Sequence, residues 1–359
     1  MRDKDADPSD FVRPAAVDPA ALLTVVRVPR EWERWRLDRV VHATFSRMSR
    51  TRAQAVVAIG AFAPDGRKLK SNDRVRFGDV VLLYRPPFEE PEVPLDCPVL
   101  FEDDVLLAID KPAGLPVHPT AKWHHHTVVS VLAKARPGEF LALCHRIDRE
   151  TSGVLLLAKT AEAERFVKRA LEVHVLGSLT STDDGRFGVA KRYLCVTWGA
   201  PEPRAGRVAL PLTLDEHNRF RVKMRVAAEG EPGALAAATR YETLEIRAAA
   251  GDPSKRYASV ACDLETGRQH QIRAHLSALG APVVGDKLYG PDGELFGRGA
   301  DGTLTDADLV TLELPRHALH AHRITLPHPT TKAPLTIESP MPGDMRALWE
   351  ALVPVGART

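Results

Sequence analysis

A chain of 359 residues exceeds the usual size of one domain, so a large core with a smaller module beside it is the natural expectation. Apolar content of 44% and charged content of 27%, with scattered Gly and Pro, exclude a disordered or fibrous protein. A formal net charge of +2 excludes a polycationic chain and names no partner by itself.

The first residues, MRDKDADPSD, are polar and charged, with no apolar stretch of signal-peptide length, which predicts a cytoplasmic protein. Residues 1–29, with clustered acids and prolines, read as a tail. From Arg36 onward, Leu37, Val40, Val41 and Phe45 recur at helical spacing. Ser49 can cap a second helix that turns Ala53, Val56 and Val57 inward and stops at Gly60. The polar positions between are Arg36, Arg39, Arg47, Arg50, Arg52 and Gln54. A turn at Pro64, Asp65 and Gly66 leads towards a strand, GDVVLLY, ending at Tyr84. Between Arg30 and Arg85 there are 13 Lys and Arg against 6 Asp and Glu, a local balance of +7.

An isolated basic run is ordinarily a solvated helix face. The run RLDRVVHATFSRMSRTRAQAVVAIGAF, with GRKLKSNDRVRFGDVV after it, resembles the alpha-L RNA-binding module of ribosomal-protein type. That resemblance implies a module over 30–85 whose basic helix pair grips structured RNA, with Arg36, Arg39, Arg50 and Arg52 as its contacts.

PPFEEPEVP, residues 86–94, has the composition of a stiff linker. From Leu95 to about residue 343, short apolar runs (VLLAID, VLLLAKT, YLCVTWG, SVACDLE) alternate with helical stretches and turn signals. This predicts an α+β fold with a mixed, mostly antiparallel sheet, closed by a C-terminal helix and tail over 344–359. Cys97, Cys144, Cys195 and Cys262 are far apart, each in or beside an apolar stretch, as buried reduced thiols are; they form no CxxC zinc site.

The densest chemistry lies in CHRIDRETSGVLLLAKT, residues 144–160, a polar cluster before an apolar strand. Asp148 stands between Arg146 and Arg149, whose charge favours an ionised carboxylate and so a nucleophile rather than a general acid. An exposed turn with solvated arginines explains the same spacing equally well. In DLETGRQHQIRAHLSALGAPVVGDKLYG, residues 263–290, Arg268, His270, Arg273 and His275 follow the Thr266-Gly267 turn. A helix there would pair Gln269 with Arg273 and Gln271 with His275 on a donor-rich face, Ile272, Leu276 and Leu279 turning inward. Tyr193 opens a strand in AKRYLCVTWG, where a tyrosine is usually core.

With IDKPAGLPVHP at 109–119 and RHALHAHRITLPHPTT at 316–331, these segments stand in an order that resembles the RluA-type pseudouridine synthases, from about Phe101 to Pro342. The resemblance implies an isomerase that turns specific uridines of structured RNA into pseudouridine, ribosomal RNA ahead of transfer RNA. Residue by residue, it implies Asp148 as the catalytic carboxylate and Arg273 as its partner. Tyr193 would lie against the uracil, and Arg146 would enter the RNA helix where the target base is flipped out. Arg268 and His270 count with Arg146 as RNA contacts. Breaking the glycosidic bond and rejoining the base through carbon needs no redox step, so the expectation is no cofactor and no metal, a monomer, and no membrane. No GxxxxGK[ST] or CxxC is present.

The chain departs from the family in a longer, more polar stretch at 174–191 before the tyrosine, and in His124, His125 and His126 after Trp123. That His run suits an RNA-facing loop better than one ion, because consecutive side chains cannot converge on it. Two other readings stay open. One is a non-catalytic RNA-binding or ribosome-assembly factor on the same fold. The other is a glycosidase, which needs two spaced carboxylates, Asp148 and Glu150 being the nearest pair.

Overall fold

The computed structural model describes residues 11, 13–19, 21–45, 49–85, 90–120, 123, 125–173 and 188–355. Arg47, His124 and most of the polar stretch before Tyr193 lie outside them. The chain divides into two compact units, Met1–Glu89 and Glu90–Thr359.

The first unit runs β1 (Leu22–Arg27), α1 (Leu37–Thr44), α2 (Arg50–Gly60), β2 (Ala61–Phe62) and β3 (Val80–Arg85). β3 is the middle strand, antiparallel to both others. The reading of residues 1–29 as a tail is therefore corrected: LLTVVR is a strand whose Val26 is wholly buried. Its apolar run is short, and the partner that makes it a strand comes more than fifty residues later. The helices form as their periodicity predicts. Leu37, Val40, Val41, Ala53 and Val57 pack with Val81 and Leu83, while Val56 is only half-buried. Ser49 caps α2 by accepting the Arg52 amide at 3.2 Å, which satisfies one donor of the open first turn. At the 63–67 turn Gly66 takes the left-handed backbone, and Asp65 accepts the Arg67 amide at 3.0 Å.

The second unit begins β4 (Val99–Glu102), β5 (Leu106–Lys111), α3 (Val128–Ala135), β6 (Ala142–Leu143), β7 (Ser152–Ala158), α4 (Ala161–Glu172) and β8 (Ala190–Trp198). It continues with β9 (Ala205–Val208), β10 (Leu212–Leu214), β11 (Met224–Val226), β12 (Thr239–Ala249), β13 (Asp252–Leu264) and α5 (Gln271–Ala278). It ends with α6 (Leu295–Asp301), α7 (Asp306–Leu312), β14 (Leu319–Pro327), β15 (Pro334–Glu338), α8 (Gly343–Glu350) and β16 (Val353–Pro354). Among the described residues, eleven strands form one sheet along β16-β12-β13-β8-β14-β7-β5-β4, and β10 pairs only with β11. The sheet is antiparallel except where β14 meets β7, so the class is α+β with a mixed, mostly antiparallel sheet.

β7 shows why its sequence is a continuous apolar run. Leu155 and Leu157 join the main core with Leu107 and Ile109, while Val154, Leu156 and Ala158 pack with Ala163 and Val167 of α4 on the opposite face. A strand covered on both faces has no polar side. At its start Gly153 takes a φ of +107°, and a Cβ there would lie 2.2 Å from the Ala321 carbonyl oxygen. Only glycine admits β14 so close.

The unit also begins earlier than Leu95. Glu90 accepts the amides of His125 and His126, each at 2.7 Å, and Val93 packs on the core. A carboxylate placed against two unpaired amides fixes the last part of the expected linker. It also gives the backbone of the His-rich loop a structural task. The C-terminal segment is likewise integral: Met345 of α8 is wholly buried and β16 pairs with β12.

Candidate active site

Asp148 sits in the loop between β6 and β7, its carboxylate about a quarter exposed. Its ion-pair partner is Arg273 of α5, whose Nη1 donates to Asp148 Oδ2 at 3.1 Å. The sequence suggested the flanking arginines. Arg146 is exposed, and Arg149 turns to Glu150 at 3.0 Å and stacks 4.8 Å from the Trp123 ring. Neighbours in an extended loop point to different sides, so adjacency in sequence is not adjacency of charge.

Arg273 is almost wholly buried and has a second, deeper partner. Its Nε and Nη2 donate to the two oxygens of Asp286 at 2.6 and 2.8 Å, a fork-to-fork pair. Asp286 is fully buried, and also accepts the amides of Leu288 and Tyr289 at 2.9 and 3.0 Å. Burial penalises this ion pair, but the two carboxylates dominate and hold the Arg273 pKa above its ordinary value; Asp286 is held below its own. The guanidinium cannot leave this lattice cheaply, so it fixes the position of Asp148.

The loop is pinned from behind by main-chain bonds. Lys111, at the end of β5, is fully buried, and its ammonium donates to the carbonyls of Pro112, Leu115 and Arg149 at 2.8, 2.9 and 3.0 Å. The Gly114 amide donates to the same Arg149 carbonyl at 2.8 Å. Burial lowers the Lys111 pKa to about 7. Beyond Asp148, Glu150 takes the Lys287 ammonium at 3.0 and 2.9 Å, Thr151 meets His317 at 2.8 Å, and Ser152 meets His320 at 3.0 Å. The motif segments at 109–119, 145–153, 285–290 and 316–322 thus meet around one carboxylate.

Asp148 opens into a cavity of about 530 Å³ whose lining includes Arg146, Lys191, Tyr193, Arg268, His270 and Arg273. Tyr193, on β8, is buried, and burial together with the charge of Asp148 raises its pKa well above the ordinary phenol value. His270 caps α5 in the left-handed conformation, with Nε2 4.0 Å from Asp148 Oδ2 and Nδ1 3.2 Å from the Tyr289 hydroxyl. Burial and the nearby Arg273 push its pKa down to about 4, so at neutral pH it is an uncharged ring lining the cavity. Arg268 is exposed at the cavity and donates to the Ala236 carbonyl at 3.0 Å.

The donor-rich face expected on α5 is instead internal. Gln271 donates to the Ala238 carbonyl at 2.9 Å and accepts from Thr266, while His275 bridges Thr239 and the Leu210 carbonyl, both at 2.9 Å. Those polar groups anchor the helix to β12, and Arg273 alone of them reaches Asp148. Asp286 was missed by sequence reasoning, although an acid inside the apolar run VVGDKLY was a usable signal.

In the first unit the arginines are partly committed. Arg36 and Gln54 bond the buried Asp38 at 3.0 and 2.8 Å, and Arg50 stands 3.5 Å away. Arg39 stacks 3.8 Å over Trp35, and Arg52 is exposed. Burial alone would raise the Asp38 pKa; the hydrogen bonds and the two arginine charges outweigh it and hold it at about 2.

A family model described as RNA pseudouridylate synthase matches residues 105–278. The chain is similar to the ribosomal large subunit pseudouridine synthase D of Xanthomonas campestris pv. campestris, 34% identical over 90% of each chain. The enzyme of that name from Nitrosomonas europaea is 32% identical over 90% of this chain and 86% of its own. In fold it is similar to human RNA pseudouridylate synthase domain containing 1, with a TM-score of 0.54 and 22% identity, covering 74% of this chain and 91% of that one.

Proposed function

The chain belongs to the RNA pseudouridylate synthase family and is an isomerase of uridine in RNA; from that premise we propose that it acts on ribosomal RNA and that Asp148 is its catalytic carboxylate. The observation that carries the assignment is the Asp148–Arg273–Asp286 chain. It holds one anionic oxygen at a cavity large enough for a nucleotide, beside a buried tyrosine and an uncharged histidine.

The residues divide the work as follows. Asp148 supplies the anionic nucleophile or base that starts cleavage between the sugar and N1 of uracil. Arg273, anchored by Asp286, pairs with that carboxylate and fixes it, which lowers the cost of organising the site at the moment of reaction. Tyr193 forms a flat wall for the flipped-out base and, with its raised pKa, keeps its proton at neutral pH. Arg146 and Arg268, exposed beside the cavity, contact the RNA around the extruded nucleotide. The first unit adds affinity through Arg36, Arg39, Arg50 and Arg52. The reaction needs no external electron acceptor, so the proposal includes no cofactor; it places a monomer in the cytoplasm, where ribosomal RNA is made.

Asp148→Asn tests the assignment. Asn keeps the shape and still accepts from Arg273, so folding and RNA affinity should persist while pseudouridine formation falls by several orders of magnitude, each tenfold loss being about 1.4 kcal/mol of barrier. Single-turnover conversion by the purified variant at more than a small fraction of the native rate refutes the assignment. A loss matched by an equal loss of RNA affinity also refutes it, because the residue would then be a binding group.

A further inference from the structure

The cavity beside Asp148 contains a cation that the roles above leave unused. Lys191 and Tyr193 are two residues apart on β8, so their side chains share one face of the strand, and both line the cavity. The other cations on this lining are committed or outward. Arg273 is shared by two carboxylates, Arg268 is exposed and bonds a carbonyl, and Arg146 is exposed. Lys191 is half-buried, and its ammonium has no hydrogen bond or ion pair among the described residues.

A second observation places the ammonium against the wall of the cavity. Gly267 lines the same cavity, and its φ lies outside the left-handed region, so its backbone does not demand glycine. A Cβ there would lie 3.3 Å from Lys191 Nζ, so the ammonium sits against the Thr266-Gly267 turn and would have to shift by a few tenths of an ångström to admit a side chain.

We propose that Lys191 is a catalytic residue whose ammonium donates to a carbonyl oxygen of the target uracil and balances the negative charge the base carries while detached from the sugar. The inference rests on the assignment of this cavity to the uridine. When the bond between C1′ and N1 breaks, its electron pair leaves with the base, giving an anion spread over N1 and the carbonyl oxygens. C5 then bonds C1′, the proton on C5 is lost, and N1 gains one, so nothing is consumed. A cation at the base's edge is worth most during the interval between the two bonds, which is the condition for lowering the barrier rather than only tightening binding.

The surroundings suit a counter-charge that arrives with the substrate. Among the described residues, the titratable groups that line the cavity with Lys191 are His145, Arg146 and Asp148 from the β6–β7 loop, Glu172 at the end of α4, Tyr193 on β8, and Arg268, His270 and Arg273 from the segment leading into α5. Alongside, Arg192 is paired with Asp263, and Arg323 of β14 with Glu338. His145 accepts the Leu156 amide at 3.2 Å on Nε2, and burial beside Lys191 pushes its pKa down to about 3, so it stays neutral. Burial lowers Lys191 itself to about 8, which keeps it mostly charged at neutral pH and makes it lose its proton just above.

The test uses the full chain and large-subunit ribosomal RNA from cells lacking the protein, labelled with tritium at uracil C5, so that release of label reports the reaction. Under single turnover, Lys191→Met should lose about 100- to 1,000-fold in rate, as removal of one charge-stabilising donor does, with RNA affinity within about twofold of native. The native rate should fall as pH rises through about 8. Lys191→Arg, which stays protonated, should keep most of the rate and carry it to higher pH. A Lys191→Met enzyme with the native rate overturns the proposal, as does a loss confined to affinity, which would mark a phosphate contact. If Lys191→Met fails to fold, the Arg variant decides: an alkaline fall at the native position overturns the idea. Asp148→Asn assayed in parallel separates the two claims. Its inactivity beside an unimpaired Lys191→Met removes only the lysine's role, whereas its full activity removes the reading of the cavity itself.

Discussion

Both units bury an aspartate against arginine, and the two arrangements are inverses. In the first unit one buried carboxylate, Asp38, faces two exposed cations, Arg36 and Arg50, so the cluster as a whole presents positive charge to solvent. In the second, one buried cation, Arg273, faces two carboxylates, and the surplus negative charge is Asp148 at the cavity. The same ion-pair chemistry thus displays a cation on the unit proposed to hold RNA and an anion at the cavity proposed for the reaction. What decides the outcome is which partner is left outside.

The comparison can be broken at its most buried point first. Arg273→Met removes the cation from between its partners and leaves Asp286 wholly enclosed with only two amides. Stripping one partner from a buried pair typically costs about 3–5 kcal/mol, and urea denaturation should show a loss of that size. A loss under about 1 kcal/mol would mean that the Leu288 and Tyr289 amides satisfy Asp286 unaided. Next in size is the binding role of the exposed side. Replacing Arg36, Arg39, Arg50 and Arg52 with Gln should lower the slope of log affinity against log salt by up to about 3–4, at roughly 0.9 for each phosphate no longer neutralised, with turnover of bound RNA unchanged. An unchanged slope would remove the first unit from RNA binding. The smallest effect is acid sensitivity. The Asp38 pKa is depressed from 3.8 to about 2, so its stabilisation is complete above pH 4 and is lost as pH falls towards 2. Asp38→Asn should therefore flatten the stability curve in that window by less than one proton, and a curve of unaltered slope would show that the arginines do not stabilise the charge.

Legibility from sequence followed the range of the contacts. The helix pair of the first unit, the strands β5, β7, β8 and β13 and the candidacy of Asp148 rest on local periodicity or on short ordered motifs, and these were readable. The pairing of Arg273 with Asp148 spans 125 residues and came only from resemblance. Spacing carried no sign that Asp286 would stand behind it, that Lys111 would fasten the loop, or that Asp38 would sit beneath Arg36. β1 was missed because its partner lies beyond two helices. Gln271 and His275 were read as surface donors because helical spacing places side chains on a face without saying what that face meets.

The fastening of the Asp148 loop has a consequence for how the protein tolerates change. Lys111 and Gly114 grip the carbonyl of Arg149, an atom that every amino acid supplies. The side chain at 149 is thereby relieved of any part in that anchorage, and substitutions there can accumulate through drift while the neighbouring carboxylate keeps its place. Position 149 is thus held through an atom that no substitution removes, whereas Glu150, Thr151 and Ser152 beside it are held by their side chains, so this tolerance belongs to that one position of the loop.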